Sequence, residues 1–159
     1  MTIARKLLLI VSHLGIGVLG FVLGIYTLPI LMAPAPPELG QVSAVEEGAQ
    51  YQGEFRRDLE DSDFLHWGEG TVSLSPDAVV FRGSLAPGPA YRLYLSPRFV
   101  ETEAAFEALK PQMEQVGNID TFENFVVNVP PGVSIEDYNT VIVWCESFGQ
   151  FITAAQYRQ

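Results

Sequence analysis

The sequence predicts a mainly β protein: an antiparallel β-sandwich or barrel-like domain with one short helix, preceded by a single N-terminal transmembrane helix. Residues 7–32 contain no Asp, Glu, Lys or Arg and are nearly all apolar, which is typical of a membrane-spanning helix. Residues 50–159 consist of short segments of alternating polarity separated by Pro- and Gly-containing turns, which favours antiparallel sheets. A chain of 159 residues has room for one such domain beside the helix.

The distribution of charge follows the same division. The chain has 9 Lys+Arg and 19 Asp+Glu, a net charge of -10, yet its mean hydropathy is +0.18. All 19 acidic residues lie at or after Glu38, whereas Arg5 and Lys6 precede the apolar run. The part from Glu38 onward therefore has 7 bases against 19 acids, a net charge of -12. Because such a surface repels phosphate backbones, we expect no nucleic-acid binding.

The apolar run is long enough to cross a bilayer. Leu7 to Leu28 would form about 33 Å of helix at about 1.5 Å per residue, and a hydrocarbon core is about 30 Å thick. The bases before the run predict, by the positive-inside rule, a cytoplasmic segment 1–6 and an exported part from about residue 33. We therefore expect a single-pass membrane protein held in the lipid bilayer by residues 7–32, with a periplasmic or extracellular domain. Pro29 and the proline-rich run 33–37 are expected to end the helix.

A cleaved signal peptide is the alternative to a retained signal anchor. Ala33-Pro34-Ala35 resembles a cleavage site. The apolar run, however, exceeds the roughly 7–15 residues of a signal-peptide core, and Pro36 would directly follow the cut. We therefore expect the segment to be retained.

Small residues on one face of the predicted helix suggest a dimer. Gly20 and Gly24 form a GxxxG pattern, which allows two membrane helices to approach closely and predicts a homodimer contact. The alternative is that these glycines reflect only the high glycine content of transmembrane helices.

Residues 33–49 are proline-rich at first and then small and acidic, which predicts a semi-extended spacer between membrane and domain. From residue 50 we expect a helix over Glu101–Lys110, stopped by Pro111, and seven or eight strands. The strand segments that the alternation defines are Tyr51–Arg57, Gly70–Ser75, Ala78–Gly83, Tyr91–Ser96, Glu123–Val129, Tyr138–Cys145 and Phe148–Gln156. Turn residues Ser75-Pro76-Asp77 predict one hairpin, and the short connection at Glu146-Ser147 predicts another.

The strand that ends at Cys145 has the strongest β signal. Its period of two places Val141, Val143 and Cys145 on one face and Ile142 and Trp144 on the other. Because both faces are apolar, we expect a central strand that is covered on both sides.

Cys145 is the one cysteine of the chain, which excludes an intrachain disulfide and a cysteine-rich zinc module. An unpaired thiol in an exported domain is exposed to oxidation. It is therefore either a buried structural residue or a functional thiol: a redox residue, a haem ligand or an intermolecular disulfide partner. His66, beside Trp67 in a predicted loop, is the second candidate as an axial ligand or proton carrier. Its alternative is a hydrogen-bonded loop residue, and a Cys-His hydrolase dyad is the least supported use of the pair.

The exported part, Tyr51 to Tyr157, resembles the DM-thirteen domain family, a predicted electron-transfer domain that occurs in membrane-anchored bacterial proteins. The segments that carry the resemblance are Gly53-Glu54-Phe55, Asp63 with His66-Trp67-Gly68-Glu69-Gly70, Gly88-Pro89, Tyr94-Leu95-Ser96, Asn128-Val129-Pro130, the run from Tyr138 to Phe148, Phe151 and Ala154. The resemblance implies a β-sandwich whose cysteine acts in redox chemistry, as a bare thiol or through a prosthetic group such as haem. It assigns that role to Cys145 and, more loosely, to His66. Phe122 to Phe125 depart from the family pattern.

Two functions follow from these observations. The first is a membrane-tethered, extracytoplasmic redox or electron-transfer domain centred on Cys145, with a redox protein as its partner. The second is an exported, non-enzymatic interaction domain in which Cys145 belongs to the core and the acidic surface binds a basic partner.

Overall fold

The uncharged N-terminal run forms one continuous helix, α1 (Ile3–Met32), in the computed structural model, which describes residues 2–159. The helix contains Pro29 and ends just before Pro34, so the expectation that Pro29 ends it is wrong. A proline removes only its own N–H from the helical ladder. The ladder resumes at once, since the backbone N–H of Ala33 donates to the carbonyl of Pro29 at 2.9 Å.

Within the described part of the chain, α1 is the one helix that is long and apolar enough to cross a membrane. A signal sequence would have the same properties, so the choice between anchor and leader stays a prediction. The predicted cytoplasmic segment 1–6 begins with Met1, which lies outside the described residues. The helix surface at Gly20 and Gly24 is open, because a Cβ added at either glycine would have no heavy atom within 4 Å. The homodimer contact stays a prediction.

Eight strands follow and pair into two antiparallel four-stranded sheets. The first sheet has the order β1-β2-β3-β6, and the second has the order β5-β4-β7-β8. The strands are β1 (Tyr51–Phe55), β2 (Gly68–Leu74), β3 (Ala78–Leu85), β4 (Tyr91–Ser96), β5 (Glu114–Ile119), β6 (Phe125–Asn128), β7 (Thr140–Cys145) and β8 (Gln150–Gln156). The predicted class, a mainly β sandwich with few helices behind an N-terminal apolar helix, is confirmed.

The registers confirm both predicted hairpins, β2–β3 and β7–β8. β5 was missing from the predicted strands, because its sequence Glu-Gln-Val-Gly-Asn-Ile lacks a clear alternation. Only Val116 and Ile119 of that strand are buried. As the edge strand of its sheet, β5 needs few apolar residues.

A second helix, α2 (Leu39–Glu46), corrects the prediction of a semi-extended spacer over residues 33–49. Val42 is fully buried, and one turn later the Glu46 carboxylate pairs with the Arg82 guanidinium of β3 at 2.6 Å. Residues four apart share one helix face. This face therefore packs on the domain. The sequence does not predict the helix, because its amphipathic pattern extends over a single turn.

Strand β7 is buried on both faces, as predicted. Val141, Val143 and Cys145 belong to the core between the two sheets. Ile142 and Trp144 belong to a second cluster on the outer side of the same sheet. There α3 (Glu103–Leu109), which lies within the predicted helix and is capped by Thr102, covers the strand. The short 3-10 turn Lys110–Gln112 follows it, and another, Ile135–Asp137, precedes β7.

The contact that attaches α3 to the sheet is an aromatic stack. The rings of Phe106 and Trp144 lie 3.9 Å apart, inclined by 12°, and both side chains are almost fully buried. Offset stacks of this kind add to the free energy of burial.

Phe106→Ala should lower the free energy of unfolding by about 3–5 kcal/mol, because it leaves a cavity under α3 and removes the stack. Urea denaturation of the full chain in detergent micelles measures the loss. The matched control is Phe64→Ala, which truncates a Phe side chain that is 83% exposed and should change stability little. Equal losses for the two variants would contradict this assignment of α3 to the core.

Candidate functional site

Cys145 lies where β7 ends, at one end of the sandwich. Its neighbours in the sheet are Tyr91 of β4 and Gln150 of β8. The residue is 3% exposed, and Sγ donates a hydrogen bond to the carbonyl of Pro89 at 3.1 Å. The turn to β8 closes through the N–H of Gly149, which donates to the Cys145 carbonyl at 2.9 Å. Gly149 has φ +63, a conformation that glycine adopts without strain.

The loop over the thiol, Ala86–Ala90, is held by Tyr91. The Tyr91 hydroxyl donates to the Ala86 carbonyl at 2.8 Å. A Cβ at Gly88 would lie 2.5 Å from that hydroxyl oxygen and 2.8 Å from the ring, so only glycine fits over the ring. Gly88 and Pro89, two residues of the sequence resemblance, thus place the carbonyl that accepts the thiol hydrogen bond.

His66 is positioned by Asp63 in the loop before β2. The backbone N–H groups of Leu65 and His66 donate to Asp63 Oδ1 at 2.7 and 2.8 Å. The ring Nδ1 of His66 lies 3.1 Å from the same carboxylate. Burial alone would raise the pKa of Asp63, but the hydrogen bonds from Leu65 and His66 outweigh it and lower that pKa. The carboxylate therefore stays ionised and accepts a hydrogen bond from Nδ1–H, which leaves the lone pair on Nε2.

The fold brings Cys145 and His66 to one cleft of about 190 Å³. The residues that line it are Val22, Ile25, Tyr26, Leu65, His66, Pro87, Gly88, Pro89, Tyr91, Cys145, Phe148 and Ile152. His66 is the one base among them. The two candidates are not bonded to each other, since Sγ donates to Pro89 and Nδ1 is engaged by Asp63. This arrangement gives no support to a Cys-His hydrolase dyad, which requires a base hydrogen-bonded to the sulfur.

Burial raises the pKa of the Cys145 thiol above its ordinary value. The backbone N–H groups of Phe148 and Ser147 point at the sulfur and oppose this effect, and the charge of Glu146 adds to it weakly. The thiol is therefore protonated at neutral pH, in a site whose backbone donors would stabilise the thiolate if it formed.

Glu146 follows Cys145 directly, but its side chain lies on the other face of the sheet. Its carboxylate accepts hydrogen bonds from the Lys110 ammonium at 3.0 Å and from the Tyr94 hydroxyl. Burial would raise the pKa of Glu146, yet these two donors outweigh burial and lower that pKa. Lys110 and Tyr94 thus hold the Glu146 carboxylate away from the cleft, which limits its effect on the pKa of the Cys145 thiol.

A haem does not fit between the two candidate haem ligands. The cleft of about 190 Å³ is smaller than the roughly 300–1,000 Å³ of sites that hold drug-sized ligands, and haem exceeds such a ligand in size. Sγ is also engaged by a carbonyl of the cleft wall. Among residues 2–159, no three His, Cys, Asp or Glu side chains are grouped as metal ligands.

Sequence reasoning did not identify several residues of the cleft. Ile152 reaches it through a β-bulge in β8 opposite Val143 and Trp144, and a bulge leaves no clear trace in the alternation. Val22, Ile25 and Tyr26 come from α1, which the sequence assigned only to the membrane. The lone tyrosine in the outer half of the apolar run was the signal available for this contact.

These features define a class of protein: a β-sandwich with a free buried thiol at the end of a central strand, lining a cleft with a histidine, behind an apolar N-terminal helix. A family model described as "Electron transfer DM13" matches residues 58–157. The chain therefore belongs to the DM13 electron-transfer domain family, as the sequence resemblance indicated. No curated protein and no solved structure matches the chain.

The raised pKa of Cys145 predicts a loss of stability at alkaline pH. A raised folded-state pKa means that the unfolded chain ionises first. The contribution of the neutral thiol is therefore complete below its ordinary pKa of 9.0 and is lost as the pH rises through and above that value. The free energy of unfolding of the wild type should fall relative to that of Cys145→Ser over this range, in urea denaturations at a series of pH values.

The comparison with Cys145→Ser removes the contribution of Tyr157, which is also buried with a raised pKa. Burial raises the pKa of Tyr91 and the charge of Cys145 raises it further, so the second effect belongs to the difference between the two proteins. Parallel pH profiles for the two proteins would show that the thiol ionises as readily in the folded chain as in the unfolded one.

Proposed function

We propose that this protein is a membrane-tethered, extracytoplasmic redox domain whose redox-active group is the thiol of Cys145. The observation that carries the proposal is the meeting of Cys145 and His66 in one cleft, although the two residues are distant in sequence. Membership of the electron-transfer family supports a redox role for the domain. The poor fit of haem favours the bare thiol over a thiolate-bound iron.

The contacts of the sulfur support this use. Donors from Ser147 and Phe148 face Sγ and would stabilise negative charge that develops there during oxidation. Nε2 of His66 is free to accept the proton that the thiol releases, because Nδ1 is held by Asp63. The redox partner in this proposal is a protein, and the domain presents to it an acidic surface.

The proposed location has its support in the sequence and in α1. Arg5 and Lys6 precede a helix long enough to cross a bilayer, and the acidic domain follows it. Under the positive-inside rule, this order supports a short cytoplasmic N-terminus and a domain in the periplasm or outside the cell.

An interaction domain with a structural cysteine is the second candidate. The observation that favours it is the burial of Cys145: the residue is only 3% exposed and its thiol is hydrogen-bonded. Free cysteines of this kind usually behave as small hydrophobic residues. In this case Cys145→Ala costs stability and alters no redox property.

Oxidation of the thiol by hydrogen peroxide separates the two functions. The sulfur gains one oxygen and loses two electrons to peroxide, which is reduced to water, and dithiothreitol reverses the change. In the full chain in membranes, Cys145 should be oxidised reversibly, and His66→Gln should slow the reaction because it removes the proton acceptor. Maleimide labelling after denaturation measures the fraction of thiol that remains.

The matched control places the only cysteine two residues earlier on the same strand and face. Val143 is fully buried and lies outside the cleft, so Val143→Cys in a Cys145→Ser background is a buried thiol without the site. The thiol at position 143 should require several-fold more peroxide than Cys145 to reach the same oxidised fraction. Equal resistance of the two thiols to peroxide would favour the structural candidate. A Soret band that is present in the wild type and absent in Cys145→Ser would show that the redox group is a haem and not the bare thiol.

A further inference from the structure

The cleft that holds Cys145 is completed by α1. Val22, Ile25 and Tyr26 line it from the helix side. A neighbouring cleft of about 440 Å³ is lined by the next turns of the helix, Leu28 to Pro34, and by residues of the Ala86–Ala90 loop. Ile25, Pro29 and Ala33 are partly buried, and their spacing of four places them on one helix face. The outer end of α1 therefore borders the domain at these two clefts, although no residue of the helix is fully buried.

The level of this contact relative to the bilayer follows from the length of the helix. Leu7 to Tyr26 spans about 30 Å at about 1.5 Å per residue, the thickness of a hydrocarbon core. With Arg5 and Lys6 at the inner boundary, Tyr26 lies at the outer boundary, where tyrosine is enriched in membrane proteins. The loops that share a cleft with Val22 and Tyr26 must then lie at this boundary too.

The side chains around the mouth of the cleft suit such a position. Residues 50–159 have four exposed large hydrophobic side chains, and three of them, Phe64, Leu65 and Phe148, lie on the two loops that flank the cleft; they are 83%, 40% and 54% exposed. The fourth, Phe99, lies in a different part of the surface, beside α3. An apolar rim in a chain whose net charge from Glu38 onward is -12 indicates a site of interaction.

The two acidic residues next to the rim in sequence, Asp63 before Phe64 and Glu146 before Phe148, are already engaged. The Asp63 carboxylate accepts hydrogen bonds from two backbone N–H groups and the His66 ring, and Glu146 is paired with Lys110 on the other face of the sheet. No acidic residue lines the cleft itself. The rim can therefore enter a polar-apolar boundary with few uncompensated negative charges to desolvate.

We propose that Phe64, Leu65 and Phe148 insert into the headgroup–acyl boundary of the outer leaflet, beside the anchor, so that the cleft opens onto the lipid bilayer. This inference rests on the tethered location proposed above and adds a second membrane contact to it. Interfacial segments commonly bury their apolar side chains about 5–10 Å into this boundary. The redox protein of the proposed function then reaches Cys145 at the interface, which favours a partner with an apolar contact surface over a dissolved ion.

An environment-sensitive fluorophore tests the inference in the full chain. In a Cys145→Ser background, Phe148→Cys and, separately, Phe64→Cys carry a nitrobenzoxadiazole label, and the protein is reconstituted in phosphatidylcholine liposomes. Both labels should show blue-shifted emission and should lose intensity when the lipid carries a nitroxide near the headgroup end of its acyl chain. The redox behaviour of Cys145 has no part in this readout.

The matched control is Asp77→Cys with the same label. Asp77 is exposed at the β2–β3 turn, at the opposite end of the strands from Gly68, and β2 is about 20 Å long at about 3.3 Å per residue. Its label should keep the emission of an aqueous site and should not be quenched.

Flotation of the same liposomes separates failure of the tether from failure of the inference. If the chain floats and the labels at positions 64 and 148 behave like the label at 77, the rim is in water and the inference is wrong. A blue shift without nitroxide quenching indicates a contact with protein and also overturns it. A chain that does not float removes the tether, and the second membrane contact falls with it.

Discussion

The position of the site depends on one constraint, the burial of both faces of β7. All six residues of the strand are buried, because the first sheet covers one face of β7 and α3 covers the other. The register of β7 is therefore fixed, since a shift by one residue would exchange its two faces. This register puts Cys145 at the end of the strand, beside the cleft.

The loops around the thiol are fixed by local hydrogen bonds as well as by core packing, since Tyr91 belongs to the core. Asp63 accepts bonds from its own loop, and Tyr91 holds the carbonyl of Ala86. The sulfur then donates to Pro89. Because each loop is satisfied separately, a change in one of them alters access to the thiol without unfolding the sandwich. This is the usual division between a rigid scaffold and the loops that carry function.

The sequence predicted what depends on period and composition. Strict alternation predicts the two faces of β7, both hairpins and the place of Cys145. The fold keeps this alternation because one face of each strand is buried. The sequence did not predict α2 or β5, whose few apolar residues carry a weak pattern, nor the continuation of α1 through Pro29. The cleft itself was beyond sequence reasoning, because the contact of Tyr26 with the Cys145 loops joins segments that share no local pattern.

The burial that raises the pKa of Cys145 and its proposed redox use are compatible. In an oxidising compartment, a protonated and shielded thiol reacts slowly with dissolved oxidants, because the thiolate is the reactive form. Selectivity then comes from the path to the sulfur, and the cleft beside α1 offers that path next to an apolar rim. A low-dielectric approach disfavours ions and admits amphiphiles, so the same burial that protects the thiol also selects what reaches it. In the proposed arrangement, α1 is part of the site as well as the attachment of the domain to the membrane.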